Sequence, residues 1–170
     1  MVQGRLTLLA LVALFALPSA TGWLAYRYWQ PGHTTNYGEL LAPEPLRTAG
    51  LRSVSGTVFD AQPLRGKWVL IQAAGAECDP ACSRSLYLTH QARLAQGREM
   101  GRIARLLLTR TSPSGAVDSD LQLAVPGDAD GPLSAGLYLM DPLGRVMMRY
   151  PQPPDGAGLI KDLRRLLRVH

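Results

Sequence analysis

Cys78 and Cys82 are the only cysteines in a chain of 170 residues, and they stand close together in "GAECDPACSRS", residues 75 to 85. Two sulfurs at this spacing can do one of three things. They can staple the chain, exchange electrons as a dithiol–disulfide couple, or supply two soft ligands to a metal ion such as Cu(I). Residues four apart on a helix have Cα atoms about 6 Å apart, inside the roughly 4.4–6.8 Å that a disulfide accepts. Asp79 can cap that helix and Pro80 can take its first turn, which puts Cys82 among unpaired N–H groups whose field favours a thiolate. Glu77 and Asp79 act the other way, because neighbouring negative charge raises a thiol pKa. A staple across so short a loop removes only about 2 kcal/mol or less of unfolded-state entropy, which makes a purely structural role inefficient.

The elements around the pair must hold it at the end of a buried strand, the position where open α/β sheets place their reactive groups. "GKWVLIQAAG", bounded by Gly66 and Gly75, is a continuous apolar run suited to a strand buried on both faces, 68–74. A helix is expected from about Pro80 to Gln96, stopped at Gly97, followed by a second apolar strand at 102–109. Strand, helix, strand is a βαβ unit, so the two strands should be parallel neighbours with a right-handed crossover. "GTVFD" reads as a short edge strand. Residues 111–136 are rich in turn formers and read mainly as loop, with room for one short helix around Val117 to Ala124. "LYLMDPLGRVMMRY" is a hairpin of strands 136–141 and 145–150, turned by Asp-Pro-Leu-Gly. Leu159, Ile160, Leu163, Leu166 and Leu167 recur at helical spacing, giving a terminal helix with one face on the sheet and its arginines in water.

The N-terminus has a different character. Leu6 to Leu24 carries no charge, and with Ala25 and Tyr26 it is long enough to cross a hydrocarbon core. Trp23, Tyr26, Tyr28 and Trp29 form an aromatic belt behind it. Arg5 and the amino terminus favour a cytoplasmic leader, with everything after Arg27 outside. A signal peptide cut after Ala20 is the alternative, and either topology exports the domain into a compartment where disulfides form. The expected organisation is a leader at 1–5, a transmembrane anchor at 6–26, a Pro- and Gly-rich linker at 27–53, and a folded domain at 54–170.

The net charge of +5 and pI near 9.6 raise nucleic acid as a partner, but the arginines at 84, 93, 98, 102, 105 and 110 are scattered. The dense "KDLRRLLRVH" end lacks a recognition motif or interleaved aromatics. Both read as solvated faces, and no nucleic-acid role is expected.

The segment "FDAQPLRGKWVLIQAAGAECDPACSRSL", with "LYLMDPLGRV" much later, resembles the Sco (SenC) family of cytochrome oxidase assembly proteins, over about Val54 to His170. The resemblance implies a thioredoxin-like α/β fold, a mixed sheet with helices on both faces, behind one transmembrane helix. It implies that Cys78 and Cys82 bind copper or exchange disulfides with the copper-binding subunit of the oxidase or another thiol protein. It also implies a single-pass protein of the bacterial inner membrane, with its C-terminal domain in the periplasm. The chain departs from the family in lacking a proline directly after each cysteine, where Asp79 and Ser83 stand. It also carries Leu133, followed by Ser134, where the family has its copper-ligand histidine.

No other histidine is an obvious replacement. His90 is eight helical residues from Cys82, roughly 12 Å, too far to share an ion with ligand bonds near 2 Å. It reads as an ordinary histidine of the helix surface or the helix–sheet contact, while His33 belongs to the linker and His170 to the terminus. The resemblance implies a membrane-anchored thiol–disulfide reductase assisting oxidase copper-site assembly. Likeness to thioredoxin-like proteins generally implies Cys78 as the attacking and Cys82 as the resolving thiol, although the helix-dipole field by itself favours Cys82. The alternatives are a Cu(I) carrier using the two thiolates, or a non-catalytic assembly partner with a structural disulfide.

Overall fold

The computed structural model describes residues 2–28, 36–75, 77–111, 118–127 and 131–168. The chain divides into two units, Met1–Thr35 and Asn36–His170. The first contains one α-helix (α1, Val2–Tyr28), with Pro18 inside it and Arg27 in its last turn. Among the described residues, no helix is long and apolar enough to cross a membrane.

The second unit is built on the two apolar runs. Trp68–Ala73 (β3) and Ile103–Leu108 (β4) are buried along their whole length and pair in parallel, from Trp68 opposite Ile103 to Ala73 opposite Leu108. Pro80–Leu94 (α2) connects them, followed by a 3-10 turn at Gly97–Arg102. The expected βαβ unit is present. Gly136–Met140 (β6) runs antiparallel to β3, and Arg145–Tyr150 (β7) runs antiparallel to β6. Their turn is organised by Asp141, whose Oδ1 accepts the Leu143 and Arg145 amides, each at 2.9 Å. Gly144 closes it at φ +86°, a conformation that a Cβ would strain.

Three expectations give way here. The segment at 27–53, expected as a linker, contributes Glu39–Pro45 (β1) and Leu51–Arg52 (β2), which pair antiparallel with β7 and with Leu121–Pro126 (β5). An exposed edge strand draws its order from hydrogen bonds to one neighbour, so it leaves no apolar period in the sequence. The loop expected over 111–136, with its short helix near 117–124, contains β5, parallel to β4. "LQLAV" alternates with the period of a strand, and the sheet decides the outcome over a local Ala and Leu content that also suits a helix. "GTVFD" contributes only an isolated bridge between Val58 and Arg52.

The resulting seven-stranded mixed sheet has the order β1-β7-β6-β3-β4-β5-β2. Helices were expected on both of its faces. Instead α2 and Gly156–Leu167 (α3) share one face, where Ala92, Leu159, Leu163 and Leu167 pack with Trp68, Leu70, Ile103, Leu137, Leu139 and Met148. The opposite face of Val69, Ile71, Leu106, Leu108, Ala124 and Met140 is covered by Leu46, Leu51, Phe59, Leu64 and Leu133 from irregular segments and β2. Fully burying a Leu or Ile side chain contributes roughly 1.5–3 kcal/mol, so each face is a substantial anchor for the central strands that carry the site.

Candidate functional site: the cysteine pair and the layer beneath it

β3 ends at Ala73, and the chain turns through Gly75 and Cys78 into α2. Asp79 is the N-cap, its Oδ1 accepting the Cys82 amide at 2.7 Å, and Pro80 stands in the first turn. The helix start thus takes the form that the sequence suggests, a carboxylate satisfying an otherwise unpaired N–H. Cys78 and Cys82 are joined as a disulfide with Cα atoms 5.2 Å apart. Their environments differ. Cys82 is 4% exposed and part of the inward stripe of α2, whereas Cys78 is half-buried at the lip. Ser83 Oγ lies 3.9 Å from Cys78 Sγ, at the limit of a hydrogen bond to sulfur. Arg84 stacks over the exposed Tyr87 ring at 5.8 Å on the outer side of the same helix.

The inward stripe continues from Cys82 through Ser85, Thr89 and Ala92. Below it the sheet is polar where a core is usually apolar. Gln72, next to the end of β3, and Ser85 are both buried, and neither Gln72 Oε1 nor Ser85 Oγ has a hydrogen-bond partner among the described residues.

Arg105 is the larger departure. Expected as one of the scattered surface arginines, it is 1% exposed in the middle of β4. Its Nη2 donates to Leu86 O at 2.7 Å and its Nε to Thr89 Oγ1 at 3.3 Å, both on α2. Its Nη1 meets Asp118 Oδ2 at 2.9 Å, His90 Nδ1 at 3.1 Å and Asp120 Oδ2 at 3.3 Å. The guanidinium fork therefore clamps the second and third turns of α2 to the acidic loop before β5, using the planar donor set that lysine lacks. His90, expected as an ordinary helix histidine, belongs to this ion cluster. The Arg105 hydrogen bond holds the Asp118 carboxyl below the usual range, with burial opposing and the charges of His90 and Arg105 adding to the effect.

The His90, Asp118 and Asp120 ligand atoms lie within 4.8 Å of one another, a separation that a metal ion could bridge. The Arg105 cation already stands among them, so electrostatics disfavours a second cation there. The signal for the cluster was present in "RIARLLLTR": an arginine in phase with the helix-side residues of a buried strand must find its counter-ions inside.

Leu133 is half-buried and packs on the face opposite the helices, with Leu41, Leu46 and Val146 around it. Its neighbour Ser134 hydrogen-bonds the Tyr138 hydroxyl at 2.7 Å. Leu133 is thus used in packing, on the face of the sheet opposite α2. His33 and His170 lie outside the described residues.

A family model described as "Transmembrane-like, thioredoxin-like, C-terminal domain" matches residues 68–170. No curated protein matches the chain. Among solved structures, ScoI of Bradyrhizobium japonicum with copper bound is 19% identical, covering 75% of this chain and 99% of its own, at a TM-score of 0.51. Yeast Sco1 is 16% identical, covering 77% and 96%, at 0.55. A thioredoxin-like protein of Porphyromonas gingivalis is 17% identical, covering 72% and 92%, at 0.54. At these identities the likeness establishes a shared fold.

Proposed function

Because the chain belongs to the family of transmembrane-like, thioredoxin-like C-terminal domains, we propose that it is a membrane-anchored thiol–disulfide reductase that assists assembly of the copper site of cytochrome oxidase. The observation that carries this reading is the disulfide at the capped start of α2, with one sulfur at the lip and its partner buried. In the reduced protein the Cys78 thiolate attacks a client disulfide, forming a mixed disulfide and releasing one client thiolate. Cys82 then attacks the Cys78 sulfur, and the client leaves as a dithiol. Two electrons pass to the client and the Cys78–Cys82 disulfide is re-formed, to be reduced again by a donor dithiol. The client in this reading is the copper-binding subunit of the oxidase or another thiol protein.

The anchor reading rests on α1. Its supporting feature is the uncharged run from Leu6 to Leu24 in the sequence of that helix. With α1 as a single span and the thioredoxin-like domain beyond it, the proposed location is the bacterial inner membrane with the domain in the periplasm.

A second reading is a carrier of Cu(I) as cargo, favoured by the fold shared with copper-bound ScoI. Two thiolates suit Cu(I), but they exist only after the disulfide is reduced, and Leu133 adds no third donor. A structural disulfide in a non-catalytic partner is the third. The reduction potential of the purified protein decides between the first and third readings, because a structural bond resists reduction below about −300 mV. A potential near those of thiol reductases, with exchange abolished in Cys78→Ser and the fold retained, is the expected result. Titration of the reduced protein with Cu(I) decides the second, which requires stoichiometric binding lost in Cys82→Ser.

A further inference from the structure

The exposed side of α3 is strongly cationic. Lys161, Arg164 and Arg165, and Arg168 just after its last turn, are all exposed. At intervals of three and four residues they share one face, opposite the buried Leu159, Leu163 and Leu167. Arg164 and Arg168 line a depression of about 400 Å³ together with Arg102 and Glu99, and Glu99 is already paired with Arg102 at 2.9 Å. Asp162 on the same helix does not offset the charge locally, because it is buried and holds the Tyr37 and Gly38 amides at 3.1 and 2.9 Å. No described carboxylate lies within ion-pair distance of Lys161, Arg164, Arg165 or Arg168. One or two cations at a helix C-terminus offset its dipole, but Lys161 lies mid-helix and gains nothing from that effect.

A second observation gives this face its occupant. The polypeptide joins the domain along α3: Asp162 binds the Tyr37 and Gly38 amides, the Tyr37 hydroxyl accepts the Asp155 amide at 2.7 Å, and Arg165 donates to Asn36 Oδ1 at 3.5 Å. Seven residues, 29–35, separate α1 from Asn36. A fully extended chain spans at most about 3.5 Å per residue, so roughly 25 Å of tether is available. On the anchor reading of α1, on which this inference rests, such a tether keeps a cationic face at high effective concentration near headgroups.

We propose that the Lys161, Arg164, Arg165 and Arg168 face docks on the anionic headgroups of the bilayer in which α1 is anchored. The same depression is lined by Ala95 and Gln96, just past the end of α2, while Cys82 stands in that helix's first turn. Thirteen residues of helix at 1.5 Å rise separate Cys82 from Ala95 by about 20 Å, so the sulfurs lie well away from this depression.

The chain contains two lysines, Lys67 and Lys161, which makes amine labelling a test with an internal reference. The full chain is reconstituted in lipid discs of phosphatidylcholine, alone or with a minority of phosphatidylglycerol, and acetylated with a water-soluble reagent. Lys161 labelling is expected to fall several-fold relative to Lys67 in anionic discs at low salt, and to recover at high salt or in Arg164→Glu/Arg168→Glu. Equal Lys161 labelling in both lipids overturns the proposal. Protection by soluble polyphosphate with none from anionic discs assigns the face to a soluble polyanion and overturns it as well. A chain that neutral discs fail to retain removes the anchor reading. The α3 face is then judged alone, by whether anionic vesicles pull the wild type down and leave Arg164→Glu/Arg168→Glu in solution.

Discussion

The Asp79 carboxylate accepts the backbone N–H of Cys82 at 2.7 Å, so a residue lying between the two sulfurs also starts the helix that carries one of them. The same oxygen atoms set the local charge felt by a thiolate. Substitutions separate these roles. Asp79→Ala removes cap and charge together and is expected to lower stability by about 1 kcal/mol, whereas Asp79→Asn keeps a capping oxygen and loses little. Both remove a negative neighbour and are expected to lower the thiol pKa of reduced Cys78. Denaturant unfolding measures the first effect, and the pH dependence of alkylation measures the second.

Arg105 offers a larger effect far from the sulfurs. Arg105→Met leaves the Leu86 carbonyl without its side-chain donor and removes the shared partner of Asp118 and Asp120, although Asp120 keeps Arg93 at 3.6 Å. Breaking a fully buried ion pair costs roughly 3–5 kcal/mol, and with Asp118 nearly half exposed the loss here is expected below that range. Arg105→Lys is expected to recover only part of that loss, since an ammonium does not reproduce the fork that reaches α2 and the acidic loop together. Urea midpoints of the two variants test this, and equal midpoints for Met and Lys count against the clamp.

Acid should weaken the same clamp through Asp118. Its carboxyl is held below the ordinary value chiefly by the Arg105 hydrogen bond. A depressed folded-state pKa contributes stability that is present above the unfolded carboxylate value, near pH 4. That stability is lost as pH falls through the lower folded value. Asp118 is nearly half exposed, so the contribution is small. Asp118→Asn is expected to lower stability at neutral pH and to flatten its acid limb below about pH 4, read from unfolding midpoints across pH.

Gly158 marks a close approach. A Cβ there meets the Tyr37 ring at 2.5 Å, although alanine is the better helix former. Gly158→Ala is expected to destabilise the wild type by about 1–3 kcal/mol through overpacking. In a Tyr37→Ala background the same change should become neutral or stabilising by up to about 1 kcal/mol, as helix propensity takes over. Additive effects in this double-mutant cycle rule out the contact as the cause.

The parts of this fold that could be read directly were those whose order comes from burial. β3 and β4 are continuous apolar runs, and α3 shows its leucines every third or fourth residue. The Asp141 turn was legible from local chemistry, as was the Asp79 cap beside the cysteines. β1 was not, because six of its seven residues are exposed and its order comes from hydrogen bonds to a strand at the far end of the sequence. Arg105 was misread for a related reason. Its phase in the strand calls for buried counter-ions, but these lie on a loop after its own strand, and their position is not written near residue 105.

The pairing of β1 with β7, Glu39 opposite Arg149, has a consequence for the order of assembly. A ribosome makes the first strand of this sheet well before its only partner, and contacts between such distant segments carry the slowest loop closures in a fold. One edge of the sheet therefore waits for almost the whole domain to emerge, with β6 and β7 both needed before β1 has a place. Cys78 and Cys82 are under no such delay, since sulfurs four residues apart can meet within one turn of chain. The nascent pair is open to the oxidants and reductants around it before the sheet beneath it is complete.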